Sequence, residues 1–166
     1  MKKLVRCTTV MWILIFVFLA LFITSANPST QCDLANGWSQ FNSNCYKLED
    51  MKNWQEAEDY CVRDQGHLVS IYSEEQLSFL NAHMPGAAWV GLNDIREEGH
   101  FEYTDGSQFV SDYNLILWAP GQPDNWQNNE DCAHLRAPTD PQAGLLNDDF
   151  CTATREFICK KGLTSI

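Results

Sequence analysis

Residues Gly121 to Cys132 read GQPDNWQNNEDC. The run carries almost no aliphatic side chains and is rich in oxygen, with Gln122, Asp124, Glu130 and Asp131 among its members. Such side chains pack badly in an apolar core. A hard cation such as calcium, in contrast, takes about 6–8 oxygen ligands and needs neither nitrogen nor sulfur. A solvated turn with unrelated acids nearby is the plain alternative, because short motifs also match by chance.

A second oxygen-rich stretch, LLNDDFC, brings Asn147 and Asp148 just before Cys151. Were Cys132 and Cys151 joined, the two stretches would be drawn together. Asp124, Glu130 and Asp148 would then converge with three negative charges. Unneutralised, such carboxylates repel one another or take up protons. A divalent ion removes most of that cost, and the amide oxygens of Gln122 and Asn147 add ligation without adding charge.

The chain around these stretches is acidic and rich in cysteine. Its first 26 residues have a basic start (Lys2, Lys3, Arg6), an apolar run from Val10 to Ile23, and small residues at Thr24-Ser25-Ala26. This is the pattern of a secretory signal peptide over 1–26. A retained signal anchor is the competing reading, but the run is shorter than the ~20 apolar residues that span a bilayer. The expectation is a secreted, extracellular protein with no stable membrane insertion after cleavage. Cleavage takes 3 of 11 basic residues and none of 22 acidic ones, leaving a net charge of −14. That balance argues against nucleic acid as a partner. Cys7 leaves with the leader, and six cysteines remain, an even number that in a secreted chain implies disulfides. Spacing alone leaves the pairing open.

After a short polar stretch at 27–31, two helices are expected. Asn53-Trp54-Gln55-Glu56 has a capping residue with Glu three positions on, and Trp54, Ala57 and Cys61 follow at helical spacing. Ser73-Glu74-Glu75-Gln76 starts a second helix with Leu77, Leu80 and Met84 as its stripe, stopped at Pro85-Gly86. Beyond Gly86, short aromatic and β-branched segments alternate with Gly, Asn, Asp and Pro. Strands are expected at Ala88–Leu92, Phe101–Tyr103, Cys132–Leu135 and Glu156–Lys160, with loops over 91–99 and 118–130. The result is an α+β domain, loop-rich in its second half.

With these residues in place, the chain resembles the C-type lectin domain family in its long form, over nearly all of Cys32 to Lys160. WVGL at Trp89 to Leu92 is similar to that family's core strand, FICKK to its last strand, and Gln122-Pro123-Asp124 to its galactose-type sugar motif. Glu130-Asp131-Cys132 and Asn147-Asp148 follow in the matching order. The resemblance implies two helices, two small antiparallel sheets and a long loop region within a carbohydrate-recognition domain at 32–161, followed by a tail at 162–166. It implies disulfides Cys32–Cys45, Cys61–Cys159 and Cys132–Cys151, and a cis bond before Pro123. It further implies calcium on Gln122, Asp124, Glu130, Asn147 and Asp148, with sugar bound by Gln122, Asp124, Trp126, Glu130 and Asn147. Two neighbouring hydroxyls would complete the ion's shell while bonding its protein ligands. The order of amide then carboxylate in the tripeptide goes with galactose and N-acetylgalactosamine rather than mannose. Trp126 would lie against the apolar face of the sugar, or else pack beneath the loop as core. Asp94, Glu98, Asn125 and Asp131 match an auxiliary calcium site, weaker here because Asn125 is neutral, the alternative being that Asp94 and Glu98 are solvated loop acids. Two departures stand out. Leu146 holds the place usually taken by Trp, and the segment Ala133–Leu146 is extended, able to cover or enlarge the sugar site.

The implied function is calcium-dependent binding of galactose-type glycans, with innate defence a setting by analogy. One small sugar buries little surface, so useful avidity requires several sites, and a homo-oligomer would have to form through the domain or its N-terminal stretch. The alternative is a protein-binding module of the same fold that does not use sugar. Catalysis is not expected. Glu130-Asp131 and Asp148-Asp149 are adjacent acids, which rarely flank one bond from both sides. His67, His83, His100 and His134 have no evident partners in the sequence.

Overall fold

The computed structural model describes residues 30–109 and 118–165, so the signal peptide expected at 1–26 lies outside them. The chain divides into a terminal unit and a main unit, Cys32–Leu163. In the terminal unit, strands β1 (Thr30–Gln31) and β10 (Thr164–Ser165) pair antiparallel. Part of the expected polar stretch and part of the expected tail are therefore strand.

Both expected helices are present in the main unit. Helix α1 (Trp54–Arg63) is capped by the Asn53 side chain, which accepts from the Glu56 N–H at 2.9 Å. Trp54, Ala57 and Cys61 form its buried face. Helix α2 (Glu74–His83) is capped by Ser73, whose Oγ accepts from Gln76 N at 3.1 Å. Gln76 turns its side chain inward, accepting from Tyr72 N and donating to the Ser70 carbonyl and the Tyr46 hydroxyl. It thereby ties α2 to the core as well as closing its first turn.

The strands are β2 (Ser39–Phe41), β3 (Asn44–Lys52), β4 (His67–Leu68), β5 (Ala88–Asn93), β6 (Glu102–Tyr103), β7 (Cys132–Leu135), β8 (Leu146–Asp149) and β9 (Arg155–Gly162). Where two small antiparallel sheets were expected, one mixed sheet runs β2-β3-β9-β5-β7-β8, with β4 on β9 and β6 on β5. The β5–β9 contact is parallel, Trp89 standing opposite Phe157, and it joins what would otherwise be two sheets. The expected loop at 91–99 gives up its first three residues to β5.

Alternation along β5 divides the core. Ala88, Val90 and Leu92 join Leu80 of α2 and Met84 just beyond its end, while Trp89 joins Trp54 and Cys61 of α1 together with Phe157. Gly91 is required in this strand, because a Cβ there would lie 2.8 Å from both the Leu68 carbonyl oxygen and Thr104 Oγ1. Disulfides join Cys32–Cys45, Cys61–Cys159 and Cys132–Cys151. The second anchors α1 to β9, and the third links β7 to the end of the β8 segment.

Candidate metal centre

The sheet brings the two oxygen-rich stretches together. β7 and β8 pair antiparallel, with Ala133 opposite Asp148. Trp118 bridges to Leu146, and Ala119 N donates to the Leu146 carbonyl at 2.8 Å. The chain entering the loop is thus pinned beside β8, and the chain leaving it becomes β7. Within the loop the Gln122–Pro123 bond is cis. Asn125, Gln127 and Asn128 take positive φ, a left-handed backbone that Asn tolerates better than most residues.

The carboxylate oxygens of Asp124, Glu130 and Asp148 lie within 4.8 Å of one another, and among the described residues theirs is the acidic group so arranged. Asp148 is fully buried and Glu130 is 8% exposed. Backbone amides fix both. Asp148 accepts from Asp124 N at 3.1 Å and Asn125 N at 2.8 Å, and Glu130 Oε2 accepts from Trp126 N at 2.9 Å. Burial pushes the Glu130 carboxyl up, and the charges of Asp148 and Asp124 add to the rise. Gln122 Oε1 is buried with no hydrogen-bond partner. An orphaned buried oxygen carries a cost of about 1–3 kcal/mol that a cation would relieve. A donor set of three convergent carboxylates and an unused amide oxygen, all hard, fits calcium.

The other expected ligand, Asn147, lies beside Asp148 on β8, but its Oδ1 accepts from Arg136 Nη1 at 3.1 Å and its Nδ2 donates to the Asp148 carbonyl. Trp126 is not core. It is 57% exposed, with its ring edge-on to Phe150 at 5.8 Å between centroids.

The auxiliary group is less convergent. Asp94 is 3% exposed. Its Oδ2 accepts from Gly99 N at 2.8 Å, while Oδ1 is buried and unpartnered. Burial raises its pKa against the opposing Gly99 bond, and the Glu98 and Asp131 charges raise it further. Asn125 Oδ1 is occupied by the Glu130 N–H at 3.1 Å.

The extended segment folds back on itself. Arg136 N donates to the Leu145 carbonyl at 2.9 Å, and Gly144 N to the Arg136 carbonyl at 3.2 Å. Gly144 presses against α2, where a Cβ would fall 1.9 Å from Asn81 Nδ2. The sequence singled out this segment but not Arg136 or Phe150 within the site. The Arg136–Asp140 spacing of four was the available signal for the first.

The adjacent acids do not face one another. Asp149 pairs with Arg155 and accepts from Phe150 N, away from the group that Asp148 joins. Three histidines do have partners: His67 Nδ1 is 2.6 Å from Glu58 Oε1, His83 Nδ1 is 2.7 Å from the Phe79 carbonyl oxygen, and His134 is buried edge-on to Trp89.

Residues 50–161 match the lectin C-type domain model. The chain is 36% identical to the alpha-N-acetylgalactosamine-specific lectin of Patiria pectinifera over 168 residues, covering 92% of this chain and 96% of that protein. It is 35% identical over 134 residues to mouse C-type lectin domain family 4 member F, covering 77% of this chain but spanning only 23% of that longer protein. Among solved structures, the C-type lectin CEL-I from Cucumaria echinata superposes with a TM-score of 0.69 at 31% identity, over 82% of this chain and 99% of that one. The matched family is one of lectins and is non-enzymatic. The chain belongs to the C-type lectin domain family.

Proposed function

We propose that this protein is a secreted, calcium-dependent lectin for galactose or N-acetylgalactosamine. Calcium would be held by Gln122, Asp124, Glu130, Asn147 and Asp148. The observation that carries the reading is the convergence of Asp124, Glu130 and Asp148 within 4.8 Å, together with a buried, unpartnered oxygen on Gln122, two residues before Asp124. A calcium ion held by these residues would supply Lewis-acid coordination to sugar hydroxyls. The Gln122 amide can donate to one of those hydroxyls, and the Asp124 carboxylate can accept from the other. Trp126, exposed beside the loop, offers its indole face to the apolar side of the sugar. The Patiria pectinifera relative, named for N-acetylgalactosamine, supports the same sugar class. A second, weaker cation at Asp94, Glu98 and Asp131 belongs to this reading. Asn125 contributes little to it while its oxygen holds the Glu130 amide.

A second reading, a protein-binding module independent of sugar, is favoured by one contact: Asn147 offers its oxygen to Arg136 rather than leaving it free. A glycan array probed with and without calcium separates the two. The lectin reading expects galactose-type glycans bound only with calcium, and no glycan binding in either condition would end it.

A further inference from the structure

Among the described hydrogen bonds of the five proposed ligands, only the Asn147 oxygen accepts from a cationic side chain. Arg136 is the first residue after β7, and Asn147 is the second residue of β8. Because Leu135 and Leu146 are paired, Arg136 stands within reach of Asn147. The guanidinium is forked. Nη1 donates to Asn147 Oδ1 at 3.1 Å, and Nη2 to Asp140 Oδ2 at 3.0 Å. Asp140 is itself fixed, its Oδ1 accepting from Gln142 N at 2.8 Å. The extended segment is thus folded around Asp140 in a way that aims Arg136 at a proposed calcium ligand.

A guanidinium can only donate, so the Asn147 amide must turn its oxygen toward it. The other edge of the amide offers only N–H, and that edge is bonded to the Asp148 carbonyl. We propose that Arg136 is a positioning residue that acts as a latch. In the cation-free protein it holds the Asn147 oxygen, and a cation can use that oxygen fully only when the latch bond is given up or shared. The latch lowers calcium affinity in two ways, by occupying a lone pair and by adding a like charge beside a divalent ion. It also assigns a role to the extended segment. The loop tunes the site through Arg136, and its own folding does not depend on the latch. Backbone bonds from Arg136 to Leu145 and from Gly144 to Arg136 hold it independently.

This inference rests on the calcium reading above, and its test separates the two. Calcium alone, without sugar, is titrated calorimetrically into the wild type and into Arg136→Gln, Arg136→Lys and Asp140→Asn. Arg136→Gln should bind calcium about fivefold more tightly, a gain that misfolding cannot produce. Arg136→Lys keeps the charge and should stay within about twofold of wild type, and Asp140→Asn, which strips the latch of its counter-charge, should bind about twofold more weakly. Thermal unfolding adds a readout that a merely structural role would not produce. Arg136→Gln should melt lower than wild type in chelator but no lower in saturating calcium. Equal or weaker calcium binding by Arg136→Gln, or an equal drop in melting temperature in both conditions, overturns the latch. If the wild type binds no calcium, the calcium reading itself fails and the latch falls with it.

Discussion

Two acidic groups border the same loop and are built differently. Around Asp148 both carboxylate oxygens accept from backbone amides, Glu130 accepts one through Oε2, and the carboxylates of Asp124, Glu130 and Asp148 converge within 4.8 Å. Around Asp94, one oxygen is capped by Gly99, the other is buried without a partner, and Asn125, the intended fourth member, is turned to Glu130. Both groups contain a carboxyl pushed up first by burial and then by neighbouring acids. The difference lies in convergence, which among the described residues is seen for Asp124, Glu130 and Asp148 and not for Asp94, Glu98 and Asp131. Three carboxylates brought together, two of them fixed by backbone amides, prepare a cation site, whereas a single buried carboxylate without converging partners does not complete one.

The largest expected effect breaks the comparison directly. Asp148→Asn should weaken calcium binding by more than about 100-fold, since even outer-shell changes at metal sites cost about 10–100-fold. Asp94→Asn should cost less than about tenfold in the same calorimetric titration. Equal losses would mean that the two groups are equivalent. Next comes selectivity. Gln122→Glu combined with Asp124→Asn reverses donor and acceptor across the cis proline and should move the glycan-array preference from galactose toward mannose. An unchanged profile would remove the tripeptide as selector. Trp126→Ala should weaken galactose binding about three- to tenfold with calcium affinity unchanged, because the ring adds aromatic contact but no ligand.

Protonation sharpens the comparison further. Glu130 has a raised carboxyl pKa in the folded, cation-free protein. Its contribution to stability is therefore full below the ordinary carboxylate range and is lost as pH rises through the raised value. The melting-temperature gain from calcium should accordingly grow between acid and neutral pH. His134 runs the other way. Burial, with Arg155 and Arg136 nearby, lowers its pKa from 6.5 to about 4. Its contribution is present above pH 6.5 and is lost as pH falls through about 4. In chelator, His134→Gln should flatten the melting curve in that window, and a profile identical to wild type would exclude His134 as the acid-labile group.

Much of the frame was legible because it rests on local chemistry. The caps at Asn53 and Ser73 and the spacing of Trp54, Ala57 and Cys61 need no distant partner to be recognised. β3 and β8 were not legible. NCYKLEDMK and LNDD lack clear alternation, and they are strands through their pairing with β9 and β7. The site follows the same division. The sequence supplied the acids in order, whereas their convergence depends on β7–β8 register and on the bridge at Trp118. Whether a side chain's oxygen is free was out of reach of the sequence. Gln122 and Asn147 offer the same amide, yet one is orphaned and the other is held by Arg136.

Chelator elution from immobilised galactose, run on the wild type beside Asp148→Asn, tests the link between cation and sugar most directly. Wild-type protein should be retained in calcium and released by the chelator, and Asp148→Asn should pass through unretained. Retention of the wild type after chelation, or of Asp148→Asn in calcium, would contradict sugar binding through an ion held by Asp124, Glu130 and Asp148.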